Sequence, residues 1–135
     1  MEQFSEYSHA IAALAIWALM MVVLAGLSTA GRTDADRCDC GKPKRDYSSS
    51  VYRRERAFAN AIENSGPFIA GTLAAILAGA SPLWVNVLTS VFLISRLVMA
   101  AVHIGTENQA MRSAAFMVSW LCLIVLAVVA VFAVF

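Results

Sequence analysis

Charge is scarce in this chain. Ten Lys and Arg and nine Asp and Glu stand among 135 residues, against a hydrophobic share of 60%. That balance leaves little for a water-soluble domain. The net charge of +1 gives no footing for nucleic acid, and no nucleic-acid partner is expected. Metal ligands are scarce as well. A structural zinc site draws on four ligands and usually opens with a Cys-x2-Cys pair. Here a single residue separates Cys38 from Cys40, and Cys122, His9 and His103 lie in other segments. No metal site is expected. Cys38 and Cys40 read as free thiols in a reducing compartment, and Cys122 as a small hydrophobe. Period-two alternation is missing from the apolar runs, which argues against a membrane β-barrel. The first apolar run has no basic cluster ahead of it, Glu2 and Glu6 standing there instead, and no clear small-residue cleavage site after it. It reads as a retained helix rather than a signal peptide.

What the chain does have is four long apolar stretches, at about 9–27, 56–80, 83–104 and 111–135. A bilayer core takes about 20 helical residues to cross, and each stretch is long enough. In lipid every backbone polar group must be satisfied within a helix or a closed barrel. The expected fold is all-α, a single integral membrane domain over 1–135 built as a four-transmembrane-helix bundle.

The basic residues are gathered in one place. Arg32, Arg37, Lys42, Lys44, Arg45, Arg53, Arg54 and Arg56 all lie in the segment 28–55 or at its junction with the second helix. The positive-inside rule puts that loop in the cytoplasm and both termini on the opposite side. The same excess suits contact with anionic membrane lipid, which needs no ligand. Gly41, Pro43 and the run Ser48-Ser49-Ser50 leave two options for the loop, a mobile segment or one carrying a short interfacial helix.

The second apolar stretch opens on a polar stripe. Arg56, Asn60 and Glu63 are spaced i, i+4, i+7 and share one face of a helix. Glu63 lies roughly 10 Å deeper than Arg56 at 1.5 Å of rise per residue. Such a stripe cannot face lipid, and an ionisable group inside a membrane is a functional-site candidate. Arg96, Ala100 and His103 repeat the spacing on helix three, with Glu107 beyond, and helix four opens on Arg112 and Ser113. Nearly all these polar groups fall in the leaflet next to the basic loop, as a polar site between helices would place them. A buried Glu63–Arg96 ion pair would explain two of them without a ligand. Pro67 is expected to kink helix two by clashing with the carbonyl of Glu63. That kink either serves the polar site or reflects the general tolerance of membrane helices for Pro.

The run Arg56-Ala57-Phe58-Ala59-Asn60-Ala61-Ile62-Glu63-Asn64, followed by Pro67-Phe68, resembles the helix-two signature of the MAPEG family, the membrane-associated proteins of eicosanoid and glutathione metabolism. Ser95-Arg96-Leu97 and Arg112-Ser113 fall at matching intervals. The resemblance is to bacterial-type members and implies a bacterial inner membrane. It also implies a homotrimer that binds glutathione between neighbouring subunits near the cytoplasmic face. Carried over position by position, it implies Arg56, Asn60 and Glu63 as glutathione contacts, with Arg32 at the end of helix one. Arg53, Arg96 and His103 complete the candidate contact set. Arg112, with Ser113 beside it, becomes the catalytic candidate near the thiol. Two places depart from the pattern. Phe58 stands where many members have His, and Met99 and His103 stand where many have a polar or aromatic residue and a Tyr.

The chemistry suits these residues. Arginines bind carboxylates bidentately, Glu63 can take an ammonium, and Arg112 at a helix N-terminus favours a thiolate. The expected function is glutathione-dependent transferase or peroxidase action on a lipophilic small molecule that enters from the bilayer. A non-catalytic lipid-binding scaffold of the same family is one alternative. A small proton- or cation-coupled transporter using Glu63 is another.

Overall fold

The structure is a computed structural model that describes residues 2–135, with side chains described from residue 4. Among these residues it is all helix and turn. Four α-helices follow one another along the chain: α1 (Ser8–Thr29), α2 (Ser50–Leu77), α3 (Pro82–Gly105) and α4 (Gln109–Val134). Short 3₁₀ turns run over Glu2–Tyr7 and Asp34–Asp36. The helices go up and down, so the bundle has a loop end and a turn end. Three spans are long and apolar enough to cross a membrane: Phe4–Thr29, Pro82–Gly105 and Gln109–Val134. Helix α2 has the length, with 28 residues, or about 42 Å, but its first half is too polar to qualify on composition.

Several boundaries differ from the sequence expectation, and local chemistry explains them. Helix α2 begins at Ser50 rather than near Arg56 because the chain enters it from a hydrogen-bonded turn. The Ser49 amide donates to the Asp46 carbonyl at 3.1 Å, and Arg53 N donates to Ser49 O at 3.1 Å. The same helix ends at Leu77 in a Schellman arrangement. Ala80 N donates to Ala75 O at 3.0 Å and Gly79 N to Ile76 O at 3.1 Å, with Gly79 at φ 69°, a conformation that favours glycine. Pro82 then opens α3 at a position where its missing N–H costs nothing. Helix α4 starts at Gln109 because the Asn108 side chain accepts from Met111 N at 3.0 Å, an N-cap that satisfies one orphan donor.

Helix α1 is apolar on every side, so hydrophobicity alone cannot choose its buried face. Shape chooses it. Ala10, Ala13, Trp17, Met20, Leu24 and Ser28 are buried, while Ile16, Leu19, Val22 and Val23 face outward. Small residues let the helices approach closely. Trp17 fills the centre, 5.6 Å from the Phe68 ring and 5.2 Å from Phe92, and those two rings stack at 4.1 Å. Its indole N–H donates to Ser65 Oγ at 3.0 Å. Thr72, Thr89, Ser95 and Ser119 are buried polar groups, and each hydroxyl donates to a carbonyl three or four residues back, as membrane helices allow. At the turn end, Tyr7 donates to Ala80 O. Asn86 bridges the chain start to α3, accepting from Ala10 N at 3.0 Å and donating to Glu6 O at 2.6 Å.

The loop between α1 and α2 is more structured than either sequence option. Thr33 and Asp36 form a capping box. Beyond it the chain makes a tight hairpin with a bridge between Arg37 and Pro43. Cys38 N donates to Lys42 O and Gly41 N to Cys38 O, both at 2.9 Å. That hairpin brings the Cα atoms of Cys38 and Cys40 to 5.2 Å, and the two are joined in a disulfide. The expectation of free thiols at these positions is therefore corrected: the turn geometry sets them within bonding range. Cys122 is free and buried on α4.

Candidate functional site

At the loop end the helices open into a cavity of about 200 Å³ lined by Tyr47, Arg56, Asn60, Met99, His103, Arg112, Ser113 and Phe116. Three helices and the loop each contribute. Helix α2 brings Arg56 and Asn60, one turn apart. Helix α3 brings Met99 and His103, also one turn apart. The first turns of α4 bring Arg112, Ser113 and Phe116, and the end of the loop brings Tyr47.

Arg96 lies behind this lining and is only 2% exposed. Its guanidinium donates to Asn60 Oδ1 at 2.6 Å and to Asn60 O at 3.1 Å. A third N–H points at Met99 Sδ at 3.1 Å. The same group lies 5.9 Å from the ring centres of Trp17 and Phe116, within cation–π range. One side chain thus reaches α1, α2 and α4 from α3. A neutral amide and aromatic faces hold this cation, and among the described residues it forms no ion pair with a carboxylate. The Glu63–Arg96 pair considered from the sequence is not formed.

Glu63 departs from its expected neighbours in a second way. Arg56 and Asn60 line the cavity, while Glu63 is exposed on the outer surface of the bundle. The i+7 step carries it past the edge of the cavity. Arg32 and Arg53 are occupied elsewhere in the protomer. Arg32 Nε donates to Ser28 O at 2.7 Å and caps the end of α1. Arg53 donates to Tyr47 O at 2.7 Å, Ser48 O at 2.8 Å and Ile104 O at 3.2 Å, and lies 3.7 Å from Glu107. It ties the loop to the end of α3.

The electrostatics of the cavity are one-sided. Arg56 and Arg112 line it and Arg96 lies just behind. None of the three forms an ion pair among the described residues, where the recorded pairs are Arg37–Asp34 and Arg53–Glu107. Among the described residues no acidic side chain lines the cavity. His103 is 5% exposed, and neither of its ring nitrogens has a hydrogen-bond partner among the described residues; Arg96 Nε is likewise unpaired. These atoms lie beside a cavity whose charged lining is guanidinium alone. Guanidinium groups without an ion-pair partner among the described residues have N–H donors suited to carboxylate or other anionic oxygens.

A model of the MAPEG family matches residues 7–132 of the chain. The chain belongs to the MAPEG family. That membership accounts for the helical membrane bundle and makes the chain an integral membrane protein of a family associated with glutathione. No curated protein matches the chain. Within this MAPEG protein, the helix-two signature supplies Arg56 and Asn60 to the cavity, and α4 supplies Arg112 and Ser113. No group of His, Cys, Asp and Glu among the described residues is arranged to hold a metal ion.

Two lining residues escaped the sequence reading. Phe116 follows Arg112 by four positions and so shares its helix face, a signal that was available. Tyr47 carries no such signal, because it lies in a loop whose path the sequence does not specify.

Proposed function

We propose that this chain is a membrane-bound glutathione-dependent transferase or peroxidase acting on lipophilic electrophiles. The observation that carries the reading is the cavity at the loop end, lined by the Arg56 and Arg112 guanidinium groups and by a buried His103 whose ring nitrogens have no partner among the described residues, with the Asn60-bound Arg96 just behind. Glutathione brings two carboxylates, one ammonium and a thiol whose thiolate is the nucleophile. Arg56 is the carboxylate-binding group on α2, and Asn60 offers its remaining amide donors beside it. His103 supplies a donor or an acceptor at a ring nitrogen. Arg112 sits in the first turns of α4, where the helix N-terminus adds about half a positive charge. Together they hold a negative sulfur and displace its proton to water. Ser113 adds a hydroxyl donor at the same place.

A cavity of about 200 Å³ is smaller than the roughly 300 Å³ at the lower end of ligand pockets, so one protomer supplies part of the site. Glu63 is the second reason to invoke a neighbour. An ionisable group on the outer face of a membrane helix is costly against lipid. In a homotrimer, the number that the family resemblance implies, a neighbouring subunit covers Glu63 and Glu63 meets the glutathione ammonium there. Arg32 and Arg53 reach the ligand only across such an interface, since each is engaged within its own protomer. The transporter alternative loses support for the same reason, because its titrating Glu63 lies outside the cavity.

The basic loop points to a cytoplasmic site with both termini on the opposite side, in a bacterial inner membrane. The Cys38–Cys40 disulfide is the one feature that favours the reverse, since cytosolic thiols are kept reduced. Labelling of single cysteines introduced at Lys42 and Phe135 separates the two orientations.

The functional test is calorimetric titration of the detergent-purified protein with glutathione, followed by turnover with lipophilic electrophiles and lipid hydroperoxides. Binding with turnover is expected. Binding without turnover against either class makes the chain a scaffold, and absence of binding refutes the proposal.

A further inference from the structure

Tyr47 enters the cavity from the last turn of the loop, and it is held there from several sides. Arg53, one turn into α2, donates to the Tyr47 carbonyl at 2.7 Å and to the next carbonyl, Ser48, at 2.8 Å. Asp46 accepts from both the amide and the hydroxyl of Ser48, at 2.9 and 2.7 Å, which closes the turn on the other side of Tyr47. The ring itself packs edge-on against Tyr52 with centres 5.1 Å apart. It lies within 17° of parallel to the His103 ring, at 6.4 Å. The guanidinium of Arg112 sits over the Tyr47 ring, 5.3 Å from its centre.

That last contact matters because of what Arg112 lacks. It is a long, flexible side chain, and among the described residues it has no ion pair and no side-chain hydrogen bond. The face of Tyr47 is the contact that orients it. A guanidinium within about 6 Å of an aromatic face is attracted by the ring quadrupole, a contact that uses none of its N–H donors in a hydrogen bond. The other charged or titratable groups facing the cavity are Arg56 on α2 and His103 on α3, with Arg96 behind them. None of these touches Arg112 through a hydrogen bond.

We propose that Tyr47 is a positioning residue, delivered by the Arg53-latched turn, that holds the Arg112 guanidinium and the His103 ring toward the ligand. This rests on the functional reading above and adds to it a loop residue that no helix pattern identifies. The turn is also the boundary between the loop and α2, so the conformation of the loop is coupled directly to the charge at the cavity.

The experiment compares the unmutated protein, Tyr47→Leu and Tyr47→Phe by ultraviolet thiolate titration of bound glutathione, with kcat and glutathione KM measured alongside. Tyr47→Leu removes the ring. It should raise the apparent pKa of the bound thiol by roughly half a unit to one unit and lower kcat severalfold, with a smaller change in KM. Tyr47→Phe keeps the ring and should recover most of the titration. A Tyr47→Leu titration identical to that of the unmutated protein overturns the positioning role and leaves the functional reading intact. So does a Tyr47→Phe titration as shifted as that of Tyr47→Leu. If glutathione binds the unmutated protein without forming thiolate, the functional reading fails and the Tyr47 role falls with it. Should Tyr47→Leu lose assembly, Tyr47→Met and Tyr47→Gln remove the ring in its place, and an unshifted titration in either one that assembles overturns the positioning role.

Discussion

Replacing Asn60 and Arg96 singly and together tests how the site is held in a membrane. Arg96 is 2% exposed, and its shortest contact is 2.6 Å to Asn60 Oδ1. A hydrogen bond to a charged group is worth about 1.5–3 kcal/mol in water-soluble proteins. Polar pairs in membrane bundles average nearer ~0.6 kcal/mol and reach about 1.7, because the separated helices also find partners. The Asn60–Arg96 contact is short and charge-assisted, which puts it at the upper end of the membrane range. Asn60→Ala leaves the guanidinium its bond to the Asn60 backbone carbonyl, so the cation is weakened rather than abandoned. Arg96→Met strands the Asn60 side chain but keeps apolar contact with Trp17 and Phe116. The double-mutant coupling energy should therefore be about 1–2 kcal/mol, read from reversible unfolding in detergent micelles or bicelles. Glu63→Gln paired with Arg96→Met should couple weakly, within about 0.5 kcal/mol, because the two residues form no ion pair in the protomer. Additive effects of Asn60→Ala and Arg96→Met, with strong coupling through Glu63 instead, would refute this account of Arg96.

Other consequences can be checked separately. Glu63→Gln should weaken glutathione binding about tenfold to a hundredfold, the loss of one charge-assisted contact. Native mass spectrometry should show the trimer intact; loss of the trimer with unchanged affinity would make Glu63 an assembly residue. The Asp46 carboxyl is held below its ordinary value of 3.8 by the Ser48 hydroxyl and amide. A depressed folded pKa means the turn is stabilised above that ordinary value and loses the stabilisation as the pH falls through the lower one. The amide NMR resonance of Ser48, which donates to the Asp46 carboxylate, should therefore shift on acidification below about pH 4. Asp46→Asn should abolish that change, and an unaltered acid transition in Asp46→Asn would assign it to another group.

How much of this could be read from the sequence varied with the kind of signal. The helices were legible because long apolar runs admit one solution in lipid, and the Gly79–Pro82 turn announced itself by residue type. The helix-two signature led to Arg56 and Asn60, and helical spacing led on to His103. The buried face of α1 was not legible, because an all-apolar helix carries no periodic signal and packing around Trp17 decides it. Glu63 was grouped with Arg56 by helical spacing and by the helix-two signature alike, yet within the protomer the neighbouring helices cover only part of that stripe and leave Glu63 exposed. The hairpin that joins Cys38 to Cys40 depends on backbone hydrogen bonds that residue spacing does not encode. The same holds for Tyr47, whose place is fixed by the Arg53 side chain and the Asp46 turn.

The most direct test of the central claim is the thiolate titration of glutathione bound to the unmutated protein and to Arg112→Leu. A free thiol of this kind titrates near pH 8.5. If the cavity is built to hold a negative sulfur, bound glutathione should show thiolate absorbance near neutral pH. Arg112→Leu should then move the titration, and the pH–rate profile with it, to higher pH, with kcat falling more than glutathione affinity. A thiolate titration that is unchanged in Arg112→Leu would contradict the account.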